Sequence, residues 1–287
     1  MVFLWRCEDP APFDYYPINV VEAILVVNKP IKEIRITRTL PLNVEYDYGN
    51  AVYKDAVCYI YEGENKMELV LNKALLSTEL WYYYPDTNYK VKSDTEYKLV
   101  VILPNNDTIT ATTTTPKPLS WITKMDDWIQ YPTDTIARPV PDNAKSEWTK
   151  QENKNLFYIF NTTCLDTVNY GMYLDVPTDE KNNKIPRRWN NDEEEEDPNA
   201  TPPEISRHTL LLDSKFPFNW GLVRYFGKHR VTVFVPDTNY QLWFLYQMMS
   251  GSFSQKSSSV NGNAIGVFGS ATYVESEFFL LKNIKDD

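Results

Sequence analysis

The side chains best able to do chemistry are few in this chain: two histidines, His208 and His229, and three cysteines, Cys7, Cys58 and Cys164. No two of them stand at zinc-ligand spacing, and there is no C-x-x-C. A thiol nucleophile would need Cys164 and one histidine to meet from distant positions; the plainer expectation is that Cys58 and Cys164 are buried strand residues acting as small hydrophobes. Carboxylates abound, at 39 Asp plus Glu. Pairs such as Asp126-Asp127 or Glu275 with Glu277 could serve glycoside hydrolysis, which needs two carboxyl groups at a set separation. In so acidic a chain, solvation of the surface is the expected role. The run Asp192-Glu193-Glu194-Glu195-Glu196-Asp197 has neither the ligand order nor the glycine of a calcium-binding EF-hand loop. Gly221 and Gly227-Lys228 have five residues between the glycines where a phosphate loop needs four, and His229 stands where a hydroxyl residue is required. Gly262, Gly266 and Gly269 are not spaced for a dinucleotide turn, and no G-x-S-x-G nucleophile elbow exists. No catalytic residue, metal or cofactor is therefore assigned.

What stands out is aromatic clustering, with 8 Trp, 20 Tyr and 13 Phe making up 14% of the 287 residues. In a strand, side chains alternate, so Trp81-Tyr82-Tyr83-Tyr84 must send two rings to each face. One pair can serve the core. The other is exposed, where flat rings with a polar rim grip sugars or peptides, or it covers a neighbouring domain. Trp121 and Trp128, near a proline-rich junction, carry the same two readings. Trp81, Tyr82, Tyr83, Tyr84, Trp121 and Trp128 are thus the candidates for contacting a glycan, a peptide or a partner protein.

The elements that must position these residues are mostly strands. The chain is 43% hydrophobic, so its bulk folds. Runs at 20–27, 34–38, 57–61, 67–71, 80–84, 97–103 and 108–114 are rich in β-branched and aromatic residues. Turn signals such as Asn105-Asn106-Asp107 separate them. About seven strands in about a hundred residues matches an immunoglobulin-like β-sandwich, here placed at 20–118. Pro116-Lys117-Pro118 ends it. Residues 119–287 read as a second β-rich domain. It has strands at 156–161, 170–174, 209–212, 222–226 and 229–235, and a hairpin of 264–268 with 271–281 over Gly269-Ser270. A long acidic surface loop fills 177–205, and one short helix fills 239–250, capped from Pro236-Asp237-Thr238. Pro-Asp-Thr-Asn-Tyr occurs at both 85–89 and 236–240, as reuse of good turn chemistry.

The net charge is −10, and the six acids of 192–197 supply most of it. The densest basic pair, Arg187-Arg188, lies beside that run, so nucleic acid is not an expected partner. No run reaches the roughly 18 apolar residues of a membrane span. Residues 1–19 open on an apolar stub, Met1-Val2-Phe3-Leu4-Trp5-Arg6, that ends at Cys7. It reads as a signal-peptide remnant with Cys7 as the first mature residue of a tether, or as an ordinary N-terminal strand with a buried thiol.

Cys7-Glu8-Asp9-Pro10, Val20-Val21-Glu22-Ala23-Ile24-Leu25, 34–38, Gly227-Lys228-His229-Arg230-Val231-Thr232-Val233 and Asn261-Gly262-Asn263-Ala264-Ile265-Gly266 together resemble domain-of-unknown-function family 4249. That resemblance implies an exported lipoprotein on the outer membrane of Gram-negative bacteria, near outer-membrane receptor systems, with lipid on Cys7. It implies no activity and no catalytic residue. With Cys7 lipidated, Cys58 and Cys164 would remain as an even pair. The function expected is a non-catalytic binding or accessory module. Two other classes stay open: a structural or adhesive subunit of a surface assembly, and a carboxylate-dependent glycan hydrolase.

Overall fold

The computed structural model describes residues 15–41, 43–72, 80–132, 139–151, 157–165, 206–223, 227–250 and 258–281. Cys7, the acidic run at 192–197, the whole of the expected 177–205 loop and the expected strand at 170–174 lie outside them. The fold is mainly β. In chain order it runs β1 (Asn19–Val26), β2 (Arg35–Arg38), a single helical turn α1 (Tyr48–Ala51), β3 (Val57–Glu62), β4 (Asn65–Leu71), β5 (Tyr82–Tyr83), β6 (Glu96–Ile102) and β7 (Thr108–Thr114). There follow β8 (Trp121–Thr123), β9 (Trp128–Gln130), β10 (Lys145–Trp148), β11 (Tyr158–Cys164), β12 (Ser206–Leu211), β13 (Lys215–Pro217) and β14 (Gly227–Pro236). Helix α2 (Thr238–Ser250), β15 (Val260–Asn261) and β16 (Ala264–Leu281) complete it.

Three sheets form. The largest has seven strands in the order β12-β11-β14-β16-β1-β2, with β9 also on β16. A six-stranded sheet runs β15-β7-β6-β3-β4-β5, and a three-stranded one runs β13-β10-β8. The key strand is β16, 18 residues long. Its first part pairs in parallel with β1, Val21 opposite Gly266 and Leu25 opposite Ser270. Its second part pairs antiparallel with β14, Val233 opposite Val274 and Gly227 opposite Leu280. The expected hairpin over Gly269-Ser270 is thus corrected to one continuous strand. Each half finds its own partner, so nothing forces a reversal at the glycine. Of the expected strand at 222–226, Leu222 instead ends a 3-10 turn, Trp220–Leu222, capped by the Asn219 side chain, and 224–226 lie outside the described residues.

Because side chains alternate along a strand, one face of the seven-stranded sheet meets both smaller sheets. Val21, Ala23 and Leu25 of β1 and Phe268 of β16 share a core with Ile60, Leu99 and Ile109 of the six-stranded sheet. This is the two-sheet, immunoglobulin-like sandwich, and it takes Val260, Ala264 and Phe268 from the far end of the chain. Val231, Val233 and Val235 of β14 and Phe278 of β16 share a second core with Trp148 and Phe216 of the three-stranded sheet. Aromatics fill that core, with Phe160 on Phe216 at 4.5 Å and Trp148 on Tyr158 at 5.5 Å between ring centroids.

The second core also encloses His229. Its ring stacks on Phe278 at 5.1 Å, and Nδ1 meets the Gly227 carbonyl at 2.9 Å, while Nε2 has no partner. Burial disfavours the imidazolium and brings the pKa down to about 4. The unfolded chain binds this proton near pH 6.5, so the native state holds fewer protons between those values. Stability is therefore expected to be intact above about pH 6.5 and to fall by about 3 kcal/mol as pH drops towards 4. In His229→Phe, which keeps the ring contact, that loss should vanish. Urea melts at about pH 7 and about pH 5 measure it; identical pH slopes in the two proteins would refute the assignment.

Candidate functional site

The face of the seven-stranded sheet turned away from the two cores carries the site. The register lays out its rows. Ile159 of β11 is opposite both Leu210 of β12 and Phe234 of β14, and Phe234 is opposite Tyr273 of β16. One step along, Asn161 lies between His208 and Thr232, and Thr232 is opposite Glu275. On the other side, Glu22 of β1 is opposite both Val267 and Arg35 of β2. An apolar band (Ile159, Phe234, Tyr273, with Ile24 and Val26 of β1) is thereby flanked by polar and charged rows.

Helix α2 lies against this band and makes it a groove. Its start is fixed by Asp237, whose Oδ1 accepts from the Tyr240 amide at 2.9 Å. The same five residues at 85–89 use the same chemistry: Asp86 Oδ1 accepts from the Asn88 amide at 3.0 Å. There, however, the chain turns without continuing into a helix. The groove has a volume of about 700 Å³ and is bounded by Lys29, Lys32, Glu33 and Arg35 on one side and Tyr240 and Trp243 of α2 on the other.

Its electrostatics are mixed. Lys29 Nζ sits over the Tyr273 ring at 4.9 Å, and hydrogen bonding to that tyrosine holds its pKa above the usual lysine value. Lys32 pairs with Glu33 at 2.6 Å. Glu277, at the margin, takes both Lys228 at 2.6 Å and Arg230 at 2.9 Å. Those two cations hold its carboxyl below the usual range. Arg35 is the exception: its Nε is buried without a hydrogen-bond partner, and no ion pair engages its guanidinium among the described residues.

The aromatic candidates are placed elsewhere. Tyr82 is corrected to a core residue, 2% exposed. Its hydroxyl donates to the Tyr53 carbonyl at 2.7 Å and accepts from the Ala56 amide at 3.1 Å. It is therefore spent within the fold and cannot face a ligand. Trp81, Tyr83 and Tyr84 are half-buried around β5 at the edge of the six-stranded sheet, with Tyr84 edge-on to Tyr89 at 5.7 Å. Trp121 packs against the second core. Trp121 Nε1 donates to the Glu275 carbonyl at 3.0 Å, where β16 has left β1 and not yet met β9. Trp128 is 59% exposed and rests on Phe279 at 5.1 Å. Thus the structure does not gather these six rings into one site.

The acid and thiol candidates fare as follows. Glu275 lines the groove and Glu277 flanks it, but Glu277 is held as a carboxylate by two cations and is poorly suited to act as a general acid at neutral pH. Asp127 is paired with Lys124 on the surface. Cys164 and His229 do come opposite each other on β11 and β14. A buried imidazole with its pKa brought down to about 4 is too weak a base to sustain a thiolate. Cys58 is buried in the first core, and burial pushes its thiol up to about 12. It is not joined to Cys164.

Sequence reasoning did not single out Arg35, Glu22, Phe234, Tyr240 or Tyr273 as site residues. The alternation at 33–38 puts Arg35 opposite Ile34 and Ile36 in facing, and that was the available signal. What it could not give is the neighbour strand.

No protein-family model matches the chain, and no curated protein matches it. Among solved structures it is similar to the I-band fragment I67–I69 from titin, at 9% identity and a TM-score of 0.20, covering 93% of this chain and 66% of that one. A Glu-to-Ala variant of the same three titin immunoglobulin domains matches at 6% identity, again with a TM-score of 0.20 and the same coverage. The chain thus spans just under two thirds of the length of the structures it matches. No described helix is long and apolar enough to cross a membrane.

Proposed function

We propose that this protein is a non-catalytic binding module of a bacterial cell envelope, tethered through a lipid on Cys7, that holds an extended ligand in the groove between α2 and the β1–β2 turn. The single observation that supports it is the unpartnered, part-buried arginine in that groove. Its buried Nε has given up water without gaining an acceptor, which costs stability, while the rest of this half-buried side chain lines the groove with no ion pair among the described residues. A ligand oxygen supplies what the fold withholds. The remaining lining suits a glycan or peptide: flat apolar floor, aromatic wall, and charged groups of both signs at the rim.

Arg35→Met keeps the aliphatic stem and removes the charge. Ligands selected on glycan and peptide arrays are expected to bind this variant at least tenfold more weakly, about 1.4 kcal/mol. Its urea midpoint should be unchanged or slightly raised, since an orphaned donor is removed. Equal affinity in both proteins, or a variant clearly less stable than the parent, would remove the arginine from the site. The tether is read separately, by the mass of the Cys7 peptide from envelope-derived protein.

A further inference from the structure

The groove has a second compartment. About 220 Å³ of space lies beneath Phe244 and Tyr240 of α2, over Ile159, Phe234 and Ala271 of the sheet. It shares Ile24, Val26, Phe234 and Tyr240 with the charged groove, so the two adjoin. The register gives the distance between their ends. Glu22 is level with Arg35, and Val26 is level with Ala271. Four residues of extended strand separate those levels, about 13 Å at 3.3 Å per residue. One end offers the Arg35 guanidinium, beside Glu22 and without an ion pair among the described residues; the other offers an apolar slot whose lining includes the polar groups Asn161 and His208.

We infer that the ligand class is an anionic amphiphile, whose carboxylate is received by Arg35 and whose single hydrocarbon portion enters the slot under α2. The inference rests on the groove reading above and adds the ligand's chemistry. Arginine presents a planar fork of donors that fits a carboxylate, and the half-buried Arg35 lines the groove with no ion pair among the described residues. The apolar slot gains from each methylene it takes out of water. Neither part alone selects the ligand. A short carboxylate leaves the slot unused, and a neutral chain leaves the guanidinium unsatisfied.

The test is calorimetric titration of the full chain with decanoate, acetate and decanamide, each below its aggregation concentration. Decanoate is expected to bind one to one and at least tenfold more tightly than either of the other two. Arg35→Met should erase the advantage of decanoate over decanamide. Ala271→Leu, which fills the slot, should erase the advantage of decanoate over acetate. Equal binding of decanoate and decanamide, or no dependence on chain length, would overturn the inference; the unmodified protein gives both results even if the filled variant fails to fold. If arrayed glycans or peptides bind through Arg35 while decanoate does not, the amphiphile is wrong and the groove stands. If nothing binds in an Arg35-dependent way, both fall.

Discussion

Gly266→Ala is expected to destabilise the protein by at least about 4 kcal/mol, a large share of the stability of an ordinary domain. Gly266 lies in β16 at φ +139, a backbone region essentially reserved for glycine. The worse problem is space. A Cβ there would stand 1.9 Å from the carbonyl oxygen of Val21, with backbone atoms of the same residue at 2.8 Å. Val21 is its register partner in β1, so no side chain can move aside. Relief requires the parallel pair of β1 and β16 to part, and that pair carries Val21, Ala23 and Phe268 into the first core. Gly63→Ala is the control: its φ is +57, but nothing lies within 4 Å of the added carbon. It should cost only about 1 kcal/mol. Urea denaturation of the two variants decides it, and similar midpoints would mean that the β1–β16 contact is looser than the register implies.

The second large effect is expected at Asp237, which joins three elements. Its Oδ1 accepts from the Ser270 amide of β16 at 3.0 Å and from the Tyr240 amide of α2 at 2.9 Å. Its Oδ2 accepts from Thr113 Oγ1 of β7 at 2.7 Å. The carboxylate therefore caps the helix and ties the six-stranded sheet to the seven-stranded one. Asp237→Ala should cost about 3–5 kcal/mol, because it removes a cap and leaves buried donors without acceptors. Asp237→Asn keeps one oxygen for the two amides and can donate to Thr113, so a cost within about 1 kcal/mol is expected. Burial raises the Asp237 pKa, against the pull of its hydrogen bonds from Ser270 and Thr113. A raised value means that the folded state holds the proton more tightly. The associated stability is fullest below the unfolded value of 3.8 and is lost as pH rises through the folded one. That dependence is opposite in sign to the one at His229, and Asp237→Asn should abolish it. An alanine variant as stable as the asparagine one would show that the three bonds do not hold the junction.

Much of the fold was legible locally. The runs at 57–61, 67–71, 97–103 and 108–114 are strands because alternation and β-branched residues specify an extended backbone within a few residues. The helix after Pro236-Asp237 is legible for the same reason, since its cap is a neighbour in sequence. The run 264–281 misled because a glycine followed by a serine is good turn chemistry, and only the arrival of β1 on one flank and β14 on the other keeps it straight. Trp81-Tyr82-Tyr83-Tyr84 misled in a related way. Alternation correctly implied that some of these rings turn inward, but the choice of Tyr82 depends on the Tyr53 carbonyl and the Ala56 amide waiting for its hydroxyl.

The sequence by itself determined a mostly β chain, the absence of the familiar phosphate-loop and nucleophile-elbow motifs, and the positions of most strands and of the long helix. It could not determine which strands lie side by side. The groove exists because Arg35 of β2 and Tyr273 of β16 come onto one face through β1, although 238 positions separate them. Strand propensity is written within a few residues, but pairing between the two ends of a chain is chosen by which faces can be buried together. That choice is made only when the whole core closes. Aromatic content therefore pointed to rings that one core could not absorb, and the parallel pairing of β1 with β16 decided where the groove lies.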